Sequence, residues 1–374
     1  MPRRIFLHLG PPKTGTTYLQ QVLAANAEVL RGQGVALVGT IGEHHKAANE
    51  LMGVSSRRGE RVPRGSWEAL SRKVRAVHGD VVLSCERYSM LGPEQAREVS
   101  ATFPDSELSV VFTLRDATAS LPGRWQERVK NGGTITWPAF CARVEHDARF
   151  LETMVRANRP LDAWEGVVPP ERIHVVTVPG PDAPRTLLLE RFCEVVGADM
   201  AAFATLTPTR ANPSMDLVGT ELLRRVNADE TSTLSPHAHH SEIKRFLTDE
   251  VLAPRRTVLK PMLTVGAFAA ARRHSEELVD RVRREGYQVV GDLADLTSAK
   301  PPSVEDHVAE VPTDELLAAA VESIAALSLR SHSWQRRFVE LERSLRSRLL
   351  AASNVGLRRW RARRTRDQTP RSGP

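Results

Sequence analysis

The stretch "HLGPPKTGTTYLQ", His8 to Gln20, limits what this chain can fold into more than any other. The apolar run "RIFLHLG" reads as a buried strand that ends at Gly10. "GTTYLQQVLAANAEVLRGQG" reads as a helix, with Tyr18, Leu19, Val22, Leu23, Ala27 and Leu30 at helical spacing and Gly32 and Gly34 as its stop. Strand, glycine turn and helix together make an anion-binding geometry. The glycines let the backbone turn tightly, and the N–H groups of the helix start face the negative charge. Gly10 and Gly15 have the spacing of the nucleotide loop G-x-x-x-x-G-K-[ST]. Thr16 stands where that loop has its lysine, and Lys13 lies inside the loop instead.

The pattern repeats downstream. "VALVG" (35–39), "DVVLSCE" (80–86), "LSVVFTLRD" (108–116) and "RIHVVTVP" (172–179) read as strands. Between them lie "GSWEALSRKVRAV", capped at Ser66, "PEQAREVSATF", the proline-containing "ATASLPGRWQERVKNG" and, after the last, "APRTLLLERFCEVVG", all of helical spacing. Alternation of this kind predicts an α/β fold, a P-loop-like parallel sheet flanked by helices, with a helical C-terminal extension. Past residue 200 the pattern turns helical and irregular, and an amphipathic helix with a short strand closes the segment. The expected organisation is a main domain over 1–300, a proline-containing linker over 301–312, a helix or coiled coil over 313–352 and a basic, disordered tail over 353–374.

Composition adds bounds. The chain has 374 residues, 41% hydrophobic and 26% charged, enough for one large core or two domains. A formal net charge of +7 suits an anionic ligand, an acidic polymer or a membrane surface. Cys85, Cys141 and Cys193 are far apart and odd in number, which predicts neither a zinc site nor a disulfide framework, and the expectation is a reduced, cytoplasmic protein. No run approaches the roughly 18 apolar residues of a spanning helix. The early residues "MPRRIFLHLG" are too short in apolar length for a signal segment and are better explained as a strand.

"PPKTGTTYLQ" resembles the phosphosulfate-binding loop of the sulfotransferases that use 3′-phosphoadenosine 5′-phosphosulfate (PAPS), which reads roughly P-K-[ST]-G-[ST]-[ST] at the end of the first strand. The resemblance implies that Pro12 and Lys13 open the loop, that Lys13 meets the oxygen bridging phosphate and sulfate, and that Thr14, Gly15, Thr16 and Thr17 wrap the 5′-phosphate. In-line sulfuryl transfer builds charge on that bridging oxygen, so a lysine there acts more on the transition state than on the ground state. Phosphoryl transfer recruits Mg²⁺ for such charge, whereas no metal is expected here. The family's second motif is a strand ending in arginine, with a serine on the next helix, both on the 3′-phosphate. Arg115 in "VVFTLRDATASLPGRWQ" stands at the arginine position and can fork two N–H groups onto phosphate. The serine position is Gly123, and Ser120 lies one turn early, so Ser120, the Gly123 N–H or Arg124 would have to serve. "VVGDLADL" (289–296) is similar to the ending of bacterial, especially actinobacterial, members. The resemblance covers residues 4 to 300.

An acceptor hydroxyl must give up a proton as it attacks sulfur. Glu86, at the carboxyl end of the third strand, is the first candidate base, because ligands of open α/β sheets sit at those ends. His44 is the second, with His45 beside it, since a neutral histidine suits this pH range. Arg87 and Tyr88 are candidates to orient the acceptor. That acceptor is expected to be a hydroxyl or amine, and the low aromatic content of 5% leans towards a carbohydrate or glycolipid. Two rival readings stay open: a P-loop kinase or NTPase, and an inactive sulfotransferase-like scaffold. The arginines of "LRRWRARRTR" around Trp360 suit contact with a membrane surface, and the helix before them suits a homo-oligomer; no nucleic-acid partner is expected.

Overall fold

The computed structural model describes residues 3–55, 62, 64–207, 215–229, 235, 238–255, 259–302 and 311–366. Six strands form one sheet: β1 (Arg4–His8), β2 (Val35–Leu37), β3 (Asp80–Ser84), β4 (Glu107–Leu114), β5 (Ile173–Thr177) and β6 (Gln288–Val290). Their order is β2-β3-β1-β4-β5-β6, and every neighbouring pair is parallel. The α/β fold expected from the sequence is therefore present. Chain order reverses at β1, which lies between β3 and β4, and a crevice opens at such a switch point beyond the carboxyl ends of the strands.

The strands bury both faces, as parallel sheets do. Ile5, Leu7, Val110 and Phe112 join one core with Tyr88, Trp125 and Trp164. Phe6, Val82, Val111 and Val176 join the other with Leu19 and Phe192. Helices α1 (Thr16–Ala25), α2 (Ala27–Gly32) and α10 (Leu187–Val196) contribute to the second core. The first is covered by α3 (Ile41–Leu51), α4 (Ser66–Arg75), α5 (Pro93–Thr102), α6 (Ala117–Lys130), α7 (Trp137–His146), α8 (Ala148–Val155), α9 (Asn158–Trp164), α11 (Leu217–Ala228) and α12 (Val265–Glu285). Between α11 and α12, His239–Leu252 forms a wide helical stretch that closes with an i→i−5 bond from Ala253 N–H to the Thr248 carbonyl, 2.9 Å.

Several elements differ from the sequence expectation, each for a local reason. The single helix expected after the loop is broken at Asn26. The Asn26 side chain donates to the Val22 and Thr205 carbonyls, at 2.8 and 2.7 Å, and accepts from Ala204 N–H at 2.9 Å, pinning the break to a neighbouring segment. Ser66 does not cap α4. Gly65 holds that position, and Glu50 accepts from the N–H groups of Gly65, Ser66 and Trp67 at 2.6–2.9 Å, so a carboxylate from another helix satisfies the helix start. The "GDLADL" ending is a latch: Asp295 accepts from Thr177 at 2.8 Å and from Arg191 at 2.6 Å, and ties the segment after β6 to the end of β5.

The chain divides into two units, Met1–Leu316 and Leu317–Pro374. Helix α13 begins at Thr313 and continues to Arg366, and from Leu317 on it makes up the described part of the second unit. No break falls at residue 352, so the 353–366 part of the expected disordered tail is helical. The rest of that tail, 367–374, and residues 303–310 of the expected linker lie outside the described residues. No helix among the described residues is long and apolar enough to cross a membrane.

Candidate active site

Three strand ends meet at the switch point. The Gly10–Gly15 loop follows β1, Glu86 follows β3 and Arg115 follows β4. A cavity of about 900 Å³ opens there, within the usual size range of small-ligand sites. Pro12, Lys13, Gly15, Thr16, Thr17, Glu86 and Arg115 all line it. Residues that are 102 positions apart in sequence thus share one wall, and Arg115 Nη1 donates to the Lys13 carbonyl at 3.2 Å.

The loop rests on a buried polar layer. His8 pairs with Ser84 across the β1–β3 register. Its Nδ1 lies 2.8 Å from the Ser84 hydroxyl, and its Nε2 3.2 Å from that of Thr113. Burial lowers the His8 pKa to about 3, so the ring is neutral and serves as a strut. A β-carbon on Gly10 would collide with the Thr16, Thr113 and His8 side chains, so only glycine lets the chain pass there. Gly15 sits at the N-cap of α1 with φ 83°, no side chain caps the helix, and its first turn carries no acid. The first N–H groups of α1 are therefore open to an anion.

Lys13 has φ 76° and Arg156 has φ 55°. They are the two non-glycine residues with left-handed backbone among the described residues, and both line the cavity. Each such residue costs on the order of 1–3 kcal/mol, and strain of this sort gathers at ligand sites. Lys13 Nζ stands 3.6 Å from Glu127 Oε2, and Lys244 Nζ 3.4 Å from Oε1 of the same carboxylate. Burial opposes ionisation of Glu127, but Lys244 and Lys13 hold its pKa below the usual range.

Among the described residues, six cations line the cavity, Lys13, Arg87, Arg115, Arg124, Arg128 and Arg156, against two carboxylates, Glu86 and Glu127. Arg124 is 8% exposed and its Nε has no hydrogen-bond partner; Arg87 Nε has none either. Burial lowers the Arg124 pKa to about 10, with Arg156 adding to the shift and Glu86 and Glu127 opposing it. A buried guanidinium without a carboxylate partner is costly, and an anionic ligand relieves it. Among the described residues, no group of three or more His, Cys, Asp or Glu could hold a metal ion.

The structure sorts the sequence candidates. His44 does not line the cavity. It is buried in α3, Nε2 donating to the Val38 carbonyl at 2.8 Å and Nδ1 accepting from Tyr88 Oη at 2.7 Å. Burial, the largest influence, lowers its pKa to about 4. Both nitrogens are in use, which removes His44 as a base, and Tyr88, buried against it, cannot orient an acceptor. His45 is the histidine that feels the charge of Glu86 and Arg87. Thr14 is also turned inward: its hydroxyl donates to the Pro11 carbonyl at 2.7 Å and lies 2.8 Å from that of Thr113, and its N–H is bonded to Pro11 at 3.3 Å. It shapes the loop and has no donor left for a phosphate. Ser120 is buried and donates to the Ala117 carbonyl at 3.0 Å, so it does not replace the expected serine. Gly123 lies beneath the stem of Lys13, outside the lining. Arg124, one residue on, is the α6 side chain that reaches the cavity in this turn. Arg128, Glu127 and Arg156 were not singled out in the sequence. The first two share a helix face with Arg124, and Arg156 sits at a helix end without the usual glycine.

Comparison with solved structures finds mouse sulfotransferase SULT7A1 complexed with PAP, at 14% sequence identity and a TM-score of 0.34, over 75% of this chain and 85% of that one. No family model matches the chain, and no curated protein does. At that identity and score the likeness carries no weight on ligand or activity.

Proposed function

We propose that this chain is a sulfotransferase that moves a sulfuryl group from PAPS to the hydroxyl or amine of an acceptor. The observation that carries the reading is the convergence of a phosphate loop with an internal lysine, an arginine at the end of β4 and a carboxylate at the end of β3 on one cation-rich cavity. The residues fit a multiply anionic nucleotide: the open N–H groups of α1, Lys13 and Arg115 answer phosphate.

The donor supplies an activated sulfuryl group whose leaving oxygen bridges to phosphate. The Thr17 hydroxyl and the N–H groups at the start of α1 hold the 5′-phosphate, while the Thr16 hydroxyl donates to the Gly10 carbonyl at 3.3 Å and leaves Thr16 its N–H. Arg115 holds the 3′-phosphate and, through its bond to the Lys13 carbonyl, also braces the loop. Glu86 takes the proton from the acceptor oxygen as that oxygen bonds to sulfur. Lys13 meets the charge that collects on the bridging oxygen as the sulfur–oxygen bond breaks, which is an interaction strengthened in the transition state. The Glu86 side chain lines the cavity, where an acceptor can meet it.

Calorimetric titration without metal tests the reading, with 3′-phosphoadenosine 5′-phosphate (PAP) as ligand and ATP with Mg²⁺ as comparison. Micromolar PAP binding and none of ATP is the expected result. The reverse would make the chain an NTPase or kinase and remove the roles given to Lys13 and Arg115. Binding of neither would leave a non-catalytic scaffold. In a PAP-binding protein, Glu86→Gln is expected to keep affinity and lose transfer, and a normal rate in that variant would take the base role from Glu86.

A further inference from the structure

The cavity holds more positive charge than the donor sites use. On the proposed reading, Lys13, Arg115 and the start of α1 answer the phosphates. Arg87, Arg124, Arg128 and Arg156 remain, and Arg87, Arg124 and Arg156 are the three whose charges act on or with Glu86. These three surround Glu86: Arg124 is influenced by Arg156, Glu86 and Glu127, and Arg156 by Glu86 and Arg87, while Glu127 is also drawn to Lys244 and Lys13. None of the three forms an ion pair with a carboxylate among the described residues. Arg124 is more than nine-tenths buried with its Nε unpartnered, and Arg87 Nε is likewise buried and unpartnered. Arg156 is held at the site by a left-handed backbone, fixed by its N–H bond to the Glu152 carbonyl at 2.6 Å.

Glu127 already pairs with Lys13 and Lys244, so Glu86 stands among these guanidinium groups as the carboxylate without an ion pair, and the wall around it is short of negative charge. Water answers exposed cations, but a buried guanidinium with an idle N–H needs an acceptor group of its own. We propose that this wall is an anion subsite for the acceptor: the molecule that is sulfated carries a fixed carboxylate, phosphate ester or sulfate ester close to the reacting hydroxyl, and Arg87, Arg124 and Arg156 hold that group. The inference rests on the sulfotransferase reading, because it is Glu86 as base that places the acceptor here. Planar guanidinium forks suit each of these anions, and a neutral sugar would leave them unanswered. Selection follows from the same charge: an uncharged analogue of the acceptor forfeits charge-assisted hydrogen bonds to these guanidinium groups.

The test uses inorganic phosphate as the probe, titrated by calorimetry into the full chain saturated with PAP. Arg156→Gly removes a guanidinium and places glycine where the backbone is already left-handed, so it spares the fold. Arg87→Gln is the second variant. The expected result is a phosphate site that persists with PAP bound and weakens by about tenfold or more in each variant, while PAP affinity stays within about threefold. Phosphate binding unchanged by both variants would overturn the proposal, and so would an equal loss of PAP affinity, which would give these arginines to the donor. If the unmodified chain ignores PAP, the donor reading fails on its own. The anion subsite then stands only if Arg156→Gly and Lys13→Gly abolish separate phosphate sites.

Discussion

The stem of Lys13 lies across Gly123: a β-carbon built on Gly123 would stand 3.4 Å from Lys13 Cδ and 3.5 Å from Cε and Cγ. The glycine at the position where the resembled family has serine thus forms the floor beneath the loop lysine. Those distances are ordinary van der Waals contact, so Gly123→Ser is expected to fold, to gain roughly 0.5–1 kcal/mol of helix stability, and to keep or tighten PAP binding. Gly123→Leu fills the space of the stem and should cut turnover about tenfold or more with little loss of stability. Denaturant midpoints and initial rates on the two variants check both statements.

Removal of the lysine should separate chemistry from binding. Because Lys13 holds φ 76°, an alanine there adds strain, and Lys13→Gly is the cleaner variant. Its turnover is expected to fall by about 10²–10³, the usual scale for one lost transition-state donor, with PAP affinity reduced less than about tenfold. Equal losses in both would give Lys13 a binding role only.

Glu127 competes with the ligand for Lys13, through the 3.6 Å pair between them. Glu127→Gln removes one of the cavity's two carboxylates, so a polyanion should bind more tightly, by several-fold at low salt and less as salt screens the site. Titration of PAP at two ionic strengths measures this; weaker binding in the variant would mean that Glu127 positions Lys13 for the donor.

Acid should weaken the fold through its buried histidines. In the folded chain the His44 pKa is about 4, and in the unfolded chain it returns to about 6.5. The unfolded state therefore takes up the proton first. The contribution is complete above pH 6.5 and is lost as pH falls towards 4, with a limit of about 3 kcal/mol for this group alone. Urea midpoints between pH 7 and 4.5 should fall, and the fall should be shallower in His44→Gln.

On α13, the exposed Leu317, Ile324, Leu327, Trp334, Phe338 and Leu341 fall on the a and d positions of one heptad frame, and in that frame Arg337 at g is matched by Glu342 at the following e. We propose that a second copy of this helix covers the seam in a parallel pair. Sedimentation equilibrium is expected to give a dimer, and Ile324→Glu with Phe338→Glu a monomer with unchanged PAP binding. A monomeric parent chain would end the proposal.

What could be seen in advance followed the strands. Lys13, Glu86 and Arg115 stand directly after apolar runs, and a parallel sheet brings such ends together whatever their distance in sequence. Arg124, Glu127 and Arg128 depend on which face of α6 turns inward, and the burial of Trp125 and Val129 in the core decides that. Arg156 depends on a left-handed helix end that no glycine announces. His44 was misplaced for a readable reason: Thr40 and Glu43 make a capping box, with Glu43 N–H bonded to Thr40 Oγ1 at 3.3 Å, and "TIGE" carries that signature. Helix α3 turns His44 into the core.

The unpartnered guanidinium of Arg124 has one more consequence. Like charges crowd this cavity and repel one another, so whatever neutralises them also holds the chain together. Ligand at about a hundred times its dissociation constant adds about 2.7 kcal/mol to folding. The unknown acceptor can therefore be sought by warming: a compound that raises the melting point of the PAP-loaded protein, and fails to do so in Arg156→Gly, has entered the site, whether or not it is ever turned over.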